Sequence, residues 1–312
     1  VGVRRMDPPE AHRRLTESVL TDQNLSAPTL QLLNRADLAE KFKDHPAEVI
    51  STLHEGMLTA GQRDVIFALA ELSFLHATRS EDRSYFLASA VYAYASIFPK
   101  NVKDALDPFD PRLRTAVDLY NQGLAEGFTK KETGKVVLES GTYRLPFGEL
   151  IMHIDPDEFR WGSYRLNDFF AASAFDVRGL RNNYRWPGVG MALVATLEQA
   201  EGEPARDFAR VPPTLKISTT AFLKLENVED GLREGRIKGE LALYANQETA
   251  SVNVDGRIAP LEYSPTAALA YTLEGNPAYE LELKGLLSGD RSLFQKTVRF
   301  KDNVFLMAPY VP

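Results

Sequence analysis

Apolar residues recur at three- and four-residue intervals over the first 130 positions and at two-residue intervals over much of the rest. The first pattern predicts helices. Pro8 and Pro9 open one that runs to about Leu20, and Ser26-Ala27-Pro28 opens the next, TLQLLNRA. Asp37 is placed to cap a short third helix, and Pro46 starts AEVISTLHEGM. Residues 62–77 carry Val65, Ile66, Leu69, Leu72 and Leu75 at helical spacing. Residues 84–98 place Phe86, Leu87, Ala90, Val91, Tyr94 and Ile97 on one face, with small alanines and serines that admit a close neighbour. Asp107-Pro108-Phe109-Asp110-Pro111 reads as a rigid turn, after which Pro111 opens RLRTAVDLYNQGLAEGF. The helix pairs show no fixed period of the kind a tetratricopeptide array has, so they predict an irregular bundle.

From about Lys131 the texture becomes strand-like. GKVVLES, GELIMHI, EFRWGSYRL and MALVATLE read as strands, and 198–213 as a polar, proline-bearing surface loop. TLKISTTAFLKLE, GRIKGELALYA, TASVNV, RIAPLEY, AALAYTL, AYELELKG and VFLMAP continue the series, with SGDRSLFQKTVRFKDNV as a loop before the last. Asp255-Gly256 between VNV and RIA is a hairpin signal, since that turn needs positive φ. Gly231, Gly235 and Gly239 mark a second tight connection. The fold class expected is α+β. An irregular α-helical bundle occupies 1–130, and a mixed β and loop junction with an arginine-rich stretch occupies 131–213. A mainly antiparallel β domain, sandwich or distorted barrel, occupies 214–312.

Composition narrows the function classes. Of 312 residues, 44% are hydrophobic and 25% charged, the profile of a soluble globular protein. A net charge of −7 argues against nucleic acid as a partner, because phosphate neutralisation needs a basic footprint. The absence of cysteine removes disulfides, thiolate catalysis and cysteine metal sites. No run approaches the ~20 apolar residues of a membrane span. The chain starts at Val1, which leaves room for a removed signal segment or a lipid anchor ahead of it.

The densest chemistry lies at 176–194, DVRGLRNNYRWPGVGMALV. Arg178, Arg181, Asn182, Tyr184 and Arg185 are its candidate binding residues, since arginine offers a planar fork of donors to carboxylates, phosphates or carbonyls. Two readings stand: the arginines cap carbonyls of an ordered loop, or they present a ligand- or partner-docking surface. GVGMALV has some likeness to a phosphate-binding turn but lacks the full glycine spacing and the preceding strand. His153, Asp155 and Asp157, with Glu158, form a weak candidate metal or acid–base cluster, against a strand end followed by a solvated turn. His76 reads as a cation favourable to the end of its helix. Glu71 reads as a half-buried partner for Arg63 or Arg83, and Tyr85, Tyr92 and Tyr94 as core aromatics. No GxSxG elbow, HExxH, Walker sequence or EF-hand loop occurs. No motif calls for a cofactor.

The ordered set of segments adds a resemblance. PxxAHRRLTESVL, SAPTLQLL, LHEGM, FALAELSFL, YFLASAVYAYASIFP and DPFDPRLRTAVDLYNQGLA are followed by VRGLRNNYR-PGVG, LKISTTAFLKL, GELALYA, ALAYTL and LKGLLSGD. Together they resemble the N-terminal region of large bacterial α/β-hydrolase-fold proteins, exported or lipid-anchored. The most specific parts are DLYNQGLA at 118–125 and VRGLRNNYR at 177–185. The resemblance implies that a hydrolase domain with a His-Gly oxyanion loop and a GxSxG serine follows FLMAPYVP, and that none of its catalytic residues lies in these 312. It implies an accessory module of a lipase- or esterase-like serine hydrolase at the cell envelope, its partner the hydrolase domain of the same gene product or another envelope protein. A free-standing envelope binding or scaffold protein and an enzyme built on the His153 cluster are the other readings.

Overall fold

The structure, a computed structural model, describes residues 19–20, 23–60, 63–162, 164–175, 184–199, 215–245 and 249–273. Most of the helix expected from Pro8 to about Leu20, most of the 198–213 loop and the strands expected beyond 274 lie outside the described residues. Among the described residues six α-helices come first: α1 (Ala27–Arg35), α2 (Ala39–Asp44), α3 (Pro46–Ala60), α4 (Arg63–Ser80), α5 (Arg83–Ile97) and α6 (Pro111–Phe128). Among the described residues no helix is long and apolar enough to cross a membrane.

Local chemistry explains most boundaries. Asp82 and Asp110 cap α5 and α6 by accepting from the N–H groups of Ser84 and Arg112. Asp37 does not cap α2. It closes α1 instead, in left-handed conformation (φ 55°), with Leu38 N–H bonded to Leu33 O and Asp37 N–H to Asn34 O. That crossed pair is the Schellman arrangement, which an aspartate supports because its short polar side chain tolerates positive φ. Helix α5 is buried on all sides rather than on one face. It runs between α4 and α6 with the sheet behind it, and a helix so placed has no solvent side to keep polar.

Eight of the described strands form one curled, mixed sheet shaped as half a barrel. Its members are β1 (Lys135–Val136), β2 (Gly141–Leu145), β3 (Gly148–Ile154), β4 (Arg160–Trp161), β5 (Tyr164–Ala171), β6 (Met191–Gln199), β7 (Lys216–Glu226) and β8 (Arg236–Ala245). The order is β1-β5-β6-β7-β8-β3-β2, with β4 against β5. The end strands β1 and β2 do not pair with each other among the described residues, so the curl stops short of a barrel. Every pairing is antiparallel except β3 with β8, which run parallel from Glu149↔Arg236 to Ile154↔Leu241. That seam begins where two glycines meet. A Cβ on Gly148 would fall 1.8 Å from the Gly235 carbonyl oxygen, which accepts the Glu149 N–H at 2.9 Å.

A seven-residue helix, α7 (Val228–Glu234), fills the connection expected to be a tight glycine turn, and Gly235 ends it at φ 66°. The Asp255-Gly256 hairpin forms as expected, with φ of 50° and 85°, between β9 (Ser251–Val254) and β10 (Arg257–Pro260). AALAYTL, expected as a strand, is helical in α8 (Pro265–Leu273). Ser264 starts it by accepting the Ala267 N–H, Pro265 is its first residue, and the alanines that mimic alternation are strong helix formers. Ala267 and Ala268 pack on Val194 of β6 and on Ala172, just beyond the end of β5.

Helices and sheet share one continuous hydrophobic core. Its joint is aromatic: Phe222 of β7 meets Tyr94, Phe98 and Tyr120 at centroid distances of 6.4, 6.3 and 5.9 Å.

Candidate functional site

The segment Asp118–Ala125 of α6 touches four other parts of the molecule. Leu119, Leu124 and Ala125 lie in the core. Gly123 lets α6 approach α5, since a Cβ there would stand 2.7 Å from the Phe86 carbonyl. Tyr120, wholly buried, donates its hydroxyl to Leu223 O (2.7 Å) and accepts the Leu223 N–H (2.9 Å). β6 pairs with β7 only as far as Met191↔Ala221, so the tyrosine takes over where the neighbouring strand stops.

Asn121 and Asp118 build the rest. The Asn121 amide donates to Gly188 O (2.8 Å) and Glu262 Oε2 (2.7 Å), and its oxygen accepts the Gly190 N–H (2.7 Å). Gly190 turns the chain into β6 at φ 106°. Gly188 lies so close to Pro260 and Leu261 that any Cβ would collide with their backbone. The Val189 N–H goes to Pro260 O. With the Val189 and Gly190 amides engaged inside the protein, GVG is a packing turn rather than a phosphate cradle.

Arg185 sits at the centre. Its Nε donates to Glu262 Oε1 at 2.9 Å, and Nη2 lies 2.8 Å from the same oxygen and 3.4 Å from Asp118 Oδ1. Asp118 also faces Arg114 at 4.0 Å. Glu262 is 5% exposed, and burial pushes its carboxyl up against the opposing pull of Arg185. Burial likewise raises Asp118, with Arg185 and Arg114 opposing, while its bond to Glu262 pushes Arg185 further up. The guanidinium is therefore shared between two carboxylates, and its charge is met from within the chain. Grooves of about 720 and 410 Å³ meet at Arg185, and neither contains a described histidine.

The residues on either side of Arg185 point outward. Tyr184 is 67% and Trp186 62% exposed, although both backbones are held: Tyr184 N–H donates to Thr266 Oγ1, and Trp186 exchanges N–H···O bonds with Tyr263. Leu269 of α8 is also exposed, one turn beyond Thr266. Arg178, Arg181 and Asn182 lie outside the described residues. Of the five binding candidates, the structure thus brings Tyr184 and Arg185 together on one frame. Sequence reasoning missed Glu262, 77 positions from Arg185. The available signal was a lone carboxylate between Leu261 and Tyr263, which a buried strand tolerates only with a partner.

The other candidates lie elsewhere. His153 is exposed on β3. Asp155 caps the turn at Pro156–Glu158 by accepting the Asp157 N–H, Asp157 faces Arg160 at 3.7 Å, and Glu158 accepts the Leu243 N–H at 3.2 Å. Among the described residues no three acidic or histidine side chains are placed to hold a metal ion. His76, expected as a helix-end cation, lies edge-on to Tyr85 at 4.4 Å, and burial pushes its pKa down. Glu71 does not pair with Arg83, and the side chain of Arg63 lies outside the described residues. Glu71 is fully buried and accepts from the hydroxyls of Ser26 (2.6 Å) and Thr29, while Arg83 Nε donates to Gly127 O. Tyr92 and Tyr94 are core, and the Tyr92 hydroxyl meets His54 Nδ1 at 2.8 Å.

The site is thus a rigid, internally neutralised frame that holds two aromatic rings in solvent. Comparison of the chain with protein-family models, with curated proteins and with solved structures finds no match in any of the three.

Proposed function

We propose that the chain is a docking module, an accessory N-terminal part of an α/β-hydrolase of lipase or esterase type at the cell envelope, with the hydrolase domain as its partner. The observation that carries the docking half of this reading is the Tyr184-Arg185-Trp186 face. Tyrosine, tryptophan and arginine dominate the energetics of protein interfaces, because rigid amphipathic rings bury large areas at small entropic cost. Here the rings stand on a frame whose arginine is already balanced, so covering them strands no charge. The hydrolase half rests on the resemblance. Its two most specific segments, 118–125 and 177–185, meet in the Asp118–Arg185 contact beneath the rings.

The test is binding between this chain and the hydrolase domain produced separately. A Tyr184→Ala, Trp186→Ala double variant is expected to bind at least tenfold more weakly with an unchanged melting temperature. Equal affinity in the double variant sinks the docking face. A native gene product of intact mass near 34.8 kDa, with no GxSxG serine, sinks the hydrolase assignment and leaves a free-standing binding protein.

A further inference from the structure

The sheet is open at β2, which pairs with β3 on one side and stands last in the order on the other. Its register sets Arg144 opposite Glu149 and Thr142 opposite Ile151. The Glu149 N–H turns away from β2 to the Gly235 carbonyl at 2.9 Å. In an antiparallel ladder, opposite residues that do not bond each other both turn their backbone groups outward. Arg144 therefore turns its N–H and C=O off the free edge, and Thr142, one strand period back, does the same. Both residues are exposed, and no described residue meets those backbone groups. Such an edge is a template for one more strand.

A groove of about 530 Å³ lies between β2, with the turn after it, and the start of α5. Tyr85, Leu87, Tyr143 and Pro146 give it apolar surface, and Arg83 and Arg144 give it charge. Asp82, the one carboxylate in its lining, is held by the Ser84 N–H and hydroxyl at 2.9 and 2.8 Å. Arg83 engages its Nε with Gly127 O. Arg144 meets no carboxylate among the described residues, since Glu149 across the ladder pairs with Arg236 at 2.8 Å. The groove is thus locally cationic on a chain of net charge −7. The same arginine disfavours a second copy of this chain. Pairing two β2 edges so that both outward residues are used sets Thr142 opposite Arg144 and makes the two arginines diagonal neighbours on one face.

We propose that the β2 edge binds an extended acidic peptide segment of a partner protein, added to the sheet as a further strand. Strand addition meets the outward groups of Thr142 and Arg144 with main-chain hydrogen bonds and leaves specificity to alternate side chains. Residues of the added strand on the Arg144 face are acidic and reach its guanidinium. Those between them are apolar and rest on Tyr85, Leu87 and Tyr143. This surface shares no residue with the Tyr184-Arg185-Trp186 face.

Titration of the intact chain with acetyl-Glu-Val-Glu-Val-Glu-amide tests this, read by calorimetry and by amide hydrogen exchange. The peptide is expected to bind with 1:1 stoichiometry and to slow exchange of the Thr142 and Arg144 amides, which are unprotected without it. Acetyl-Lys-Val-Lys-Val-Lys-amide is expected to bind about tenfold more weakly, the scale of one hydrogen bond to a charged group. Arg144→Glu is expected to reverse that preference. Thr142→Pro removes an outward N–H and leaves the β3 ladder whole, as proline does at a sheet edge. It is expected to weaken binding of the acidic peptide with unchanged far-ultraviolet circular dichroism. The proposal is overturned if the acidic peptide does not bind, if both peptides bind equally, or if the two amides are already protected in the free chain or stay unprotected with peptide bound. It is also overturned if sedimentation equilibrium shows a dimer that Thr142→Pro dissociates, which would give the edge to a second copy.

Discussion

Glu71 carries a carboxyl group into the packed contact between α1 and α4, where Ser26 and Thr29 reach it with hydroxyl groups. Ser26 precedes the first residue of α1, yet its side chain does not cap its own helix. The carboxylate of another helix occupies that end of α1, where unpaired N–H groups gather. Burial is the largest influence and pushes the Glu71 pKa up from 4.5, with the hydroxyl bonds pulling the other way. A carboxyl group that holds its proton more firmly when folded adds stability below its ordinary pKa. That contribution is lost as pH rises through the raised folded value. Glu71→Gln keeps the shape and discards the ionisation. Its melting temperature, followed from pH 4 to pH 8, is expected to fall less steeply above pH 4.5 than that of the parent and to exceed it at pH 8. Parallel profiles would show that Glu71 does not titrate across this range. The sequence pointed to an arginine partner because it shows charges and not depth. A glutamate among Leu69, Leu72 and Leu75 is legible as unusual, but that two hydroxyls 42 and 45 positions away would serve it is not.

At the scale of elements, the tyrosine in the middle of α6 completes a strand. Beyond Ala221, β7 loses β6, and the hydroxyl of Tyr120 answers both the donor and the acceptor of Leu223. Tyr120→Phe leaves the two groups buried without partners in nearly unchanged packing. Each buried unpaired group costs about 1–3 kcal/mol, so urea denaturation is expected to show a loss of about 2–6 kcal/mol. A loss under about 0.5 kcal/mol, the scale of an ordinary surface change, would mean that Leu223 finds other partners. DLYNQGLA stands out in the sequence as a motif, and the structure gives a contact to nearly every residue in it. Those contacts were illegible because their other halves, Leu223, Glu262 and Phe86, lie far along the chain or on a different element. The helix pattern itself was legible, since 3.6-residue periodicity over fifteen or more positions is hard to mistake. In Ala267–Leu273 the period misleads: Ala, Leu and Tyr alternate, and only the Ser-Pro start and the alanine content announce α8.

For the whole molecule, the continuity of the apolar core from helices to sheet matters most. Tyr94, Phe98, Tyr120 and Phe222 belong to one aromatic cluster, and the hydrophobic core runs from Leu32 in α1 to Leu243 in β8 without interruption. Elements that share a core lose it together. Thermal unfolding followed by far-ultraviolet and by near-ultraviolet circular dichroism is therefore expected to give coincident transitions. Separate midpoints, with helix signal outlasting aromatic signal, would show that the bundle stands without the sheet. The Arg257 guanidinium ties the two parts further, donating to Ile97 O and Pro99 O at the end of α5.

The parallel seam between β3 and β8 also fixes an order in time. β2 and β3 are separated by a two-residue turn and can find each other in microseconds. Glu149 and Arg236, which open the seam, are 87 positions apart, and a non-local parallel pairing of that kind is slow to nucleate. The two ends of the sheet thus mature as separate hairpins and meet late, at a point where Gly148 and Gly235 leave no room for a side chain between them. A methyl group added to either glycine meets the backbone across the seam and, because Gly148 and Gly235 sit at φ of 147° and 66°, also strains the turn that leads each strand into it.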